Sequence, residues 1–233
     1  MAAGLAVDAF MVAGVAWPYI PQMRAMLAAK DASAFSLLTS LVVVVSGTLR
    51  VAYWVGERFE AALLVQAVVA VLTQLVMVAV VVHIKQATGK AGVARFTDLS
   101  PATFWAWRDL ASYLQFEGAL VAVLACGQLV AGGLGWYSPT LGALALGIEA
   151  LLPVPQMLTI FKTRNTGGVS TVMIGAWVAG DALKTVYAVM KSAPLPFVAC
   201  GLFQLSVDVI LALQLFVLYP PGRAAATAGA RKD

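Results

Sequence analysis

Charge, histidine, asparagine and cysteine are all scarce in this sequence of 233 residues. Lysine, arginine, aspartate and glutamate make up 11% of it, whereas a soluble domain carries about 25%. The single histidine, His83, and the two cysteines, Cys126 and Cys200, lack the spacing of a metal site or a catalytic pair. The sequence therefore predicts no metal, no cofactor and no enzymatic activity. The only asparagine, Asn165, precedes Thr-Gly, so it is no glycosylation acceptor.

Apolar residues make up 61% of the chain, and its mean hydropathy is +0.90. About 20 apolar residues let a helix cross a hydrocarbon core of roughly 30 Å, and seven such segments can be placed. They are roughly Gly4–Leu27, Phe35–Gly56, Ala61–Ile84, Ser112–Leu134, Pro139–Phe161, Val169–Met190 and Phe197–Tyr219. The first lacks the basic flank and cleavage site of a removable signal peptide. The sequence therefore predicts an all-α integral membrane protein with a retained first helix.

Lysine and arginine are distributed unevenly between the predicted loops. With the N-terminus outside, eleven of them lie on the cytosolic side, and only Arg58 and Lys191 lie on the other. Because positive loops resist translocation, this predicts a lumenal N-terminus and a cytosolic C-terminus. The net charge of +4 suits an anionic cytosolic leaflet, and gives no reason to expect nucleic acid as a partner. Residues 220–233 are small and polar, which favours a disordered cytosolic tail.

One stretch of the sequence occurs twice. "WPYIPQMRAMLAAKDASAFS" (17–36) and "LLPVPQMLTIFKTRNTGGVS" (151–170) align at an offset of 134 residues. The alignment continues through a second helix and, after a further shift of four, through a third. It pairs Arg50 with Lys184, Tyr53 with Tyr187 and Gln66 with Gln204.

These pairings predict two three-helix repeats, residues 1–84 and 139–219. Residues 85–138 then form a cytosolic amphipathic linker and a fourth helix that joins the repeats. An odd number of helices in each repeat and in the connection gives both repeats the same orientation. The expected architecture is therefore seven transmembrane helices in two parallel repeats, with any substrate path between them.

Each copy of the repeated stretch has two prolines and a glutamine inside an apolar run. Proline removes a backbone hydrogen bond and kinks a membrane helix, and the freed carbonyl needs another partner. We expect two hinges that let the repeats rock, with the glutamine side chains meeting freed backbone groups; a static kink is the alternative. The predicted hinge residues are Pro18, Pro21, Gln22, Pro153, Pro155 and Gln156.

Arg50, Asp181, Lys184 and Asp208 lie inside predicted helices. Each costs ~2.5–3.5 kcal/mol near the bilayer centre, so we expect them to pair with one another inside the bundle. Residues three and four apart share a helix face, which adds polar and aromatic neighbours. The predicted translocation path is Arg50, Tyr53, Gln66, Glu149, Trp177, Asp181, Lys184, Tyr187, Gln204 and Asp208. Asp181 or Asp208 would change protonation during transport; the alternative is a permanent salt-bridge network that fixes helix packing.

The linker "ARFTDLSPATFWAWRDLASY" (94–113) mixes aromatic and basic residues. Such aromatics favour the level of the lipid headgroups. We therefore expect a short helix from Pro101 on the cytosolic surface that anchors the linker. Glu117, which follows, is expected at the membrane interface.

Two Pro-Gln dipeptides at the cytosolic ends of the first and fifth of seven helices resemble the PQ-loop family, which is similar in fold to SWEET sugar transporters and KDEL receptors. The resemblance covers nearly the whole chain. "RVAYWVGERFEAALLVQ", "FWAWRDLASYLQ" and "GDALKTVYAVMKSAPLPFVACGLFQLSVD" resemble most closely the PQ-loop repeat-containing protein 1 subgroup of the solute carrier 66 family. This implies residence in the endosome or trans-Golgi and ATP-independent, scramblase-like phospholipid translocation that supports traffic from endosome to Golgi.

Two other functions stay open. A proton-coupled transporter of a small polar solute or amino acid, as in lysosomal cystinosin-like relatives, would use Asp181 and Asp208, although Arg50 and Lys184 disfavour a cationic substrate. A non-transporting receptor or scaffold, resembling the KDEL receptor, would need a lumen-facing pocket. The expected partners are membrane lipids for the scramblase-like function and protons for the proton-coupled transporter. Abundant small residues in several helices are also compatible with a homo-oligomer.

Overall fold

Helices form most of the described chain. A computed structural model of the protein describes residues 2–33, 35–164, 166 and 171–219. These residues contain nine α-helices: α1 (Ala2–Gly14), α2 (Tyr19–Ala29), α3 (Leu37–Gly56), α4 (Ala61–Ala87), α5 (Leu110–Ala131), α6 (Tyr137–Ala150), α7 (Val154–Thr163), α8 (Thr171–Met190) and α9 (Leu195–Leu213). A π-helical turn, Gln214–Leu218, continues α9. Asn165, Val169, Ser170 and the predicted tail, 220–233, lie outside the described residues.

Among the described residues, five segments are long and apolar enough to cross a membrane. They are Leu37–Gly56, Ala61–Ala87, Leu110–Ala131, Tyr137–Thr163 and Leu195–Leu218. The chain is therefore an all-helical, multi-pass integral membrane protein. The first predicted span falls on α1 and α2, and the sixth on α8, which are not among these five. The count of seven spans stays a prediction.

The chain divides into two compact units, residues 1–149 and 150–233. In the first unit, α3 packs along α4, α1 and α2 pack on α4, and α5 packs on both α3 and α4. In the second unit, α8 packs along α9, and α7 packs against α9. Each unit thus has one long helix pair to which its shorter, proline-containing helix is attached.

The first proline pair interrupts the helix between α1 and α2. Pro21 has no N–H to give to the carbonyl of Trp17, four residues earlier. The N–H of Ile20 bonds to that carbonyl instead, at 3.2 Å. Pro18, just before α2, has right-handed helical dihedrals. The chain therefore passes through the break as a tighter helical turn.

The second proline pair produces the same arrangement between α6 and α7. Pro155 frees the carbonyl of Leu151, and the N–H of Val154 bonds to it at 3.1 Å. Pro153 also has right-handed helical dihedrals. Leu151, Val154 and Pro155 correspond to Trp17, Ile20 and Pro21 at the offset of 134, whereas Pro153 is shifted by one residue from Pro18. The freed carbonyls thus accept hydrogen bonds from backbone N–H groups of the helix itself. The sequence instead predicts the side chains of the two glutamines as partners of the freed groups.

Both proline-kinked helices also end in the same way. Lys30 follows α2 with φ of 50°, and Arg164 follows α7 with φ of 53°. This left-handed region is uncommon for residues other than glycine. The two positions correspond at the offset of 134, so the two copies share a backbone conformation as well as a sequence pattern.

Corresponding apolar residues lie in the core of each unit. Met26 of α2 and Met77 of α4 belong to one buried cluster of the first unit. Ile160 of α7 and Leu215, just after α9, belong to a buried cluster of the second. Met26 corresponds to Ile160 at the offset of 134, and Met77 to Leu215 at the offset of 138. The two units therefore bury corresponding faces of their first and third helices.

The aromatic linker before α5 is folded into the first unit. Trp105 and Trp107 are only 4% and 6% exposed, and they pack with Val44 of α3 and Tyr113 of α5. The indole N–H of Trp105 donates a hydrogen bond to the carbonyl of Leu37, at 2.8 Å. The linker is therefore part of the core of this unit.

The linker does not form the predicted surface-anchoring helix, and its tryptophans face the core of the unit. From Pro101 the chain makes only a three-residue 3₁₀ turn, Pro101–Thr103. The tryptophans lie in the core because a buried indole removes a large apolar area from water and its N–H can reach a backbone carbonyl. Among the linker aromatics, Phe104, which precedes Trp105, stays exposed.

We expect Trp105→Ala to lower the free energy of unfolding by about 3–5 kcal/mol, the usual loss when a large aromatic leaves a core. Trp105→Phe should cost less, because it keeps an aromatic ring and loses mainly the hydrogen bond to Leu37. Thermal unfolding of the purified variants in detergent measures both. Phe104→Ala is the comparison: its ring is 48% exposed but contacts those of Trp107 and Phe116, so its loss should lower the melting temperature less than Trp105→Ala does. Equal melting temperatures for Trp105→Ala and Phe104→Ala would contradict the buried linker.

Candidate functional site

Arg50 is an enclosed charge in the first unit. It lies in α3 and is 3% exposed. Its guanidinium forms an ion pair with the carboxylate of Glu149, near the end of α6. Taking a charge out of water is costly, and an opposite charge offsets part of that cost. The structure thus brings together two residues of the predicted path, although the sequence does not reveal that they are partners.

α3 and α6 approach each other closely beside this ion pair. Tyr53, three residues after Arg50, is fully buried, and a Cβ at Gly142 of α6 would lie 2.6 Å from its ring. A Cβ at Gly56 would overlap the side chain of Ser138. Small residues of this kind let membrane helices pack closely. Tyr53, predicted for the path, is therefore packed inside the first unit.

Two glutamines of α4 bind neighbouring helices of the first unit. The amide of Gln66 donates to the carbonyl of Met11 in α1, at 3.0 Å. Gln74 accepts a hydrogen bond from the hydroxyl of Ser40 in α3, at 3.0 Å. Both amides are buried. Gln66 was predicted for the path; Gln74 was missed, although its spacing of eight residues places it on the same face as Gln66.

Glu117 lies seven residues after the start of α5 and contacts α3. Its Oε1 is 2.7 Å from the hydroxyl oxygen of Thr48, which is also 2.8 Å from the carbonyl of Val44. The carboxyl group is half-buried. The sequence predicts an interfacial position for Glu117 but does not predict its contact with a neighbouring helix.

Three residues of the predicted path meet in the second unit. Within α8, Lys184 Nζ lies 3.8 Å from Asp181 Oδ1. The carboxyl groups of Asp181 and Asp208 interact between α8 and α9. Asp208 is 1% exposed, whereas the side chains of Asp181 and Lys184 are 15% and 14% exposed. One base and two acids therefore form a cluster, the α8–α9 cluster, with two of its members partly open.

The remaining path residues of the second unit extend from its surface to its interior. Trp177 is 36% exposed and Tyr187 is 5% exposed. Gln204 of α9 is half-buried. Lys191, just after α8, lies 5.7 Å from the centre of the Tyr187 ring. The stripe predicted on α8 therefore runs from a surface tryptophan, past the α8–α9 cluster, to a buried tyrosine.

The predicted hinge glutamines, Gln22 and Gln156, are half-buried beside the two breaks. A glutamine that the sequence analysis missed binds the helix that follows the second break. Gln214, buried in the turn after α9, donates its amide to the carbonyl of Met157 in α7, at 3.2 Å. A single amide inside the apolar run that follows α9 is the signal that could have revealed it.

Residues 137–197 match the family model of the PQ loop repeat. A PQ-loop repeat domain is therefore present in this part of the chain. The matched segment contains the second proline pair and two members of the α8–α9 cluster, Asp181 and Lys184.

A similar curated protein is Scramblase ANY1 of Saccharomyces cerevisiae, with 30% identity over 114 residues. The alignment covers 45% of this chain and 28% of that protein, so the chain matches less than a third of the relative's length. No solved structure matches the chain. The similarities support a membrane PQ-loop protein of transporter type.

We expect Glu149→Gln to destabilise the protein by about 3–5 kcal/mol, because it removes the carboxylate opposite a buried guanidinium. The double variant Arg50→Met/Glu149→Gln should recover part of that loss, since no buried charge then remains at the pair. Glu57→Gln, at an exposed carboxylate, is the control. Thermal unfolding in detergent compares the four proteins, and a Glu149→Gln protein that melts with the Glu57→Gln control would refute the importance of the ion pair.

Proposed function

We propose that this protein moves phospholipid between membrane leaflets without ATP, in the manner of a scramblase. The observation that carries the proposal is the α8–α9 cluster: Asp181, Lys184 and Asp208 place both signs of charge in an apolar helix pair. Two of these residues lie within the matched PQ-loop segment, and the similar yeast protein is named a scramblase.

In the proposed mechanism, the ion pair between Lys184 and Asp181 is replaced by ion pairs between these residues and a lipid headgroup. Lys184 and Asp181 are partly exposed and 3.8 Å apart, which is long for a strong charge-assisted contact. A zwitterionic headgroup carries a phosphate that can bind Lys184 and an ammonium that can bind Asp181. The internal pair re-forms when the headgroup leaves, so the charges stay compensated at each stage. The acyl chains remain in lipid.

The proposed architecture is two parallel three-helix repeats, 1–84 and 139–219, in seven spans with a lumenal N-terminus. The matching proline breaks, the left-handed residues after both kinked helices and the corresponding core residues support it. From the resemblance of its sequence we also propose that the chain belongs to the PQ-loop repeat-containing protein 1 subgroup of the solute carrier 66 family and resides in the endosome or trans-Golgi.

A second candidate function, proton-coupled transport of a small polar solute, is favoured by one observation. Two carboxyl groups and one ammonium group meet in the α8–α9 cluster, which leaves one negative charge when all three are ionised. A bound proton would neutralise the cluster. Asp208, which is 1% exposed, would hold it.

Reconstituted liposomes with a fluorescent phospholipid test the first proposal. External reductant should bleach more than the outer-leaflet share in vesicles with wild-type protein. Asp181→Asn and Lys184→Ala should slow translocation by at least about tenfold, equivalent to ~1.4 kcal/mol of barrier. Lys162→Ala, at an exposed lysine of α7, is the charge-matched control and should retain the wild-type rate.

Bleaching that stops at the outer-leaflet share, in vesicles containing folded wild-type protein, would reject lipid translocation. Proton flux in the same vesicles, lost in Asp208→Asn, would then favour the second candidate. Lipid movement that persists equally in all variants would reject the role of the α8–α9 cluster.

We also expect Pro21→Ala/Pro155→Ala to slow translocation in these liposomes. Alanine restores N–H groups that can bond to the carbonyls of Trp17 and Leu151, which should straighten both helices. Pro139→Ala is the control: Pro139 also lies in the first turn of its helix, but it follows the loop between α5 and α6 and not a helical turn that joins two kinked helices, so this substitution straightens no break. An unchanged rate in the double variant, with intact thermal stability, would identify the breaks as static kinks.

A further inference from the structure

A polar cavity of about 640 Å³ lies in the first unit, where α4 ends and α5 begins. Gln86 and Gln115 of the two helices contribute to its wall, together with Arg95, Thr97, Arg108 and Asp109 from the linker. This volume is within the roughly 300–1,000 Å³ typical of small-molecule sites. None of these residues belongs to the predicted path or hinges.

Two arginines converge on one carboxylate in this cavity. Arg95 Nε lies 3.5 Å and Arg108 Nε 3.4 Å from the same oxygen, Oδ2 of Asp109. A guanidinium has five N–H donors, and these contacts involve only the Nε of each. Among the described residues, these two ion pairs leave the terminal N–H groups of both guanidinium groups able to bind a ligand.

Asp109 holds the arginines and stays ionised. Its Oδ1 accepts hydrogen bonds from the N–H and the hydroxyl of Ser112, at 2.9 and 3.0 Å. Partial burial alone would raise the pKa of this carboxyl, but these bonds, Arg108 and Arg95 together lower it below its usual value. Two positive groups and one negative group leave a net charge of +1 in the wall. An anion can therefore bind beside Asp109 without displacing it.

The cavity lies at the level expected for lipid headgroups. Its wall joins the end of one segment able to span a membrane, Ala61–Ala87, to the start of another, Leu110–Ala131. The hydrocarbon region should end where these helices end. The phosphate groups of lipids lie just outside that region, and basic pockets beside membrane helices are known to hold such headgroups.

We infer that this cavity binds a phosphomonoester group, such as the headgroup of an anionic phospholipid. Guanidinium groups bind phosphate oxygens through paired N–H···O bonds. A phosphomonoester carries about −1.5 to −2 charges at neutral pH, which oppose the two guanidinium groups. The space beyond the arginines, with the amides of Gln86 and Gln115, accommodates the glycerol part of a headgroup.

The test is thermal unfolding of the full chain in neutral detergent micelles, titrated with a short-chain phosphatidic acid. Short-chain phosphatidylcholine and inorganic phosphate are titrated in parallel. Phosphatidic acid should raise the melting temperature saturably, as a ligand of the folded state does. Arg95→Gln/Arg108→Gln should raise its Kd by at least about tenfold, the change expected when charge-assisted bonds are lost.

Two further variants keep the test decisive. Arg58→Gln is the matched control, because Arg58 stacks on Trp54 at 3.8 Å, before α4 begins, and it should retain the wild-type Kd. Arg108→Lys keeps the charge and loses the paired N–H geometry, so it should weaken binding even if the double variant does not fold.

A shift with phosphatidic acid and none with inorganic phosphate identifies a lipid as the source of the phosphate. An equal shift with both identifies a soluble phosphate compound, and either result supports the site. No saturable shift with either, or an unchanged Kd in the double variant and in Arg108→Lys, overturns it. The inference does not rest on lipid translocation: equilibrium binding in micelles and bleaching in liposomes fail independently.

Discussion

Polar groups inside a bilayer must find their partners within the protein, because hydrocarbon offers none. In this chain the constraint is most evident where prolines interrupt the helices. The carbonyls of Trp17 and Leu151 accept hydrogen bonds from the residues just before Pro21 and Pro155, so each break is closed locally. Glutamine amides then bind the kinked regions from a neighbouring helix: Gln66 reaches α1, and Gln214 reaches α7.

The same constraint explains why corresponding charges have different partners. Lys184 has Asp181 one turn earlier on its own helix. Arg50 has Gly47 at that position, where a Cβ would lie 2.5 Å from Val71 Cγ2. A side chain there would clash with this methyl group of α4, and the acid that pairs with Arg50 lies on another helix, as Glu149 of α6. In both units a buried charge, Arg50 or Asp208, has partly exposed partners: Glu149 is 20% exposed, and Asp181 and Lys184 are 15% and 14% exposed.

Features determined by local sequence could be predicted, and those determined by packing could not. Apolar length identifies the five spanning segments, and the repeated Pro-Gln stretch identifies both breaks, because each depends on residues close in the chain. The partner of Arg50 and the buried position of Trp105 depend on helices far apart in the sequence. Gln74 and Gln214 each carry a weak signal, an amide in an apolar run, but only the fold reveals which carbonyl or hydroxyl lies opposite. Composition alone made the tryptophans of the linker resemble surface anchors.

The burial of the linker in the first unit has a consequence for how the chain is made. Trp105, Trp107 and Tyr113 pack with residues of α3 and α4, all of which leave the ribosome before the second proline pair is synthesised. Chains of this kind fold from the N-terminal unit onwards during synthesis. The first unit can therefore complete its aromatic core while the α8–α9 cluster is still untranslated.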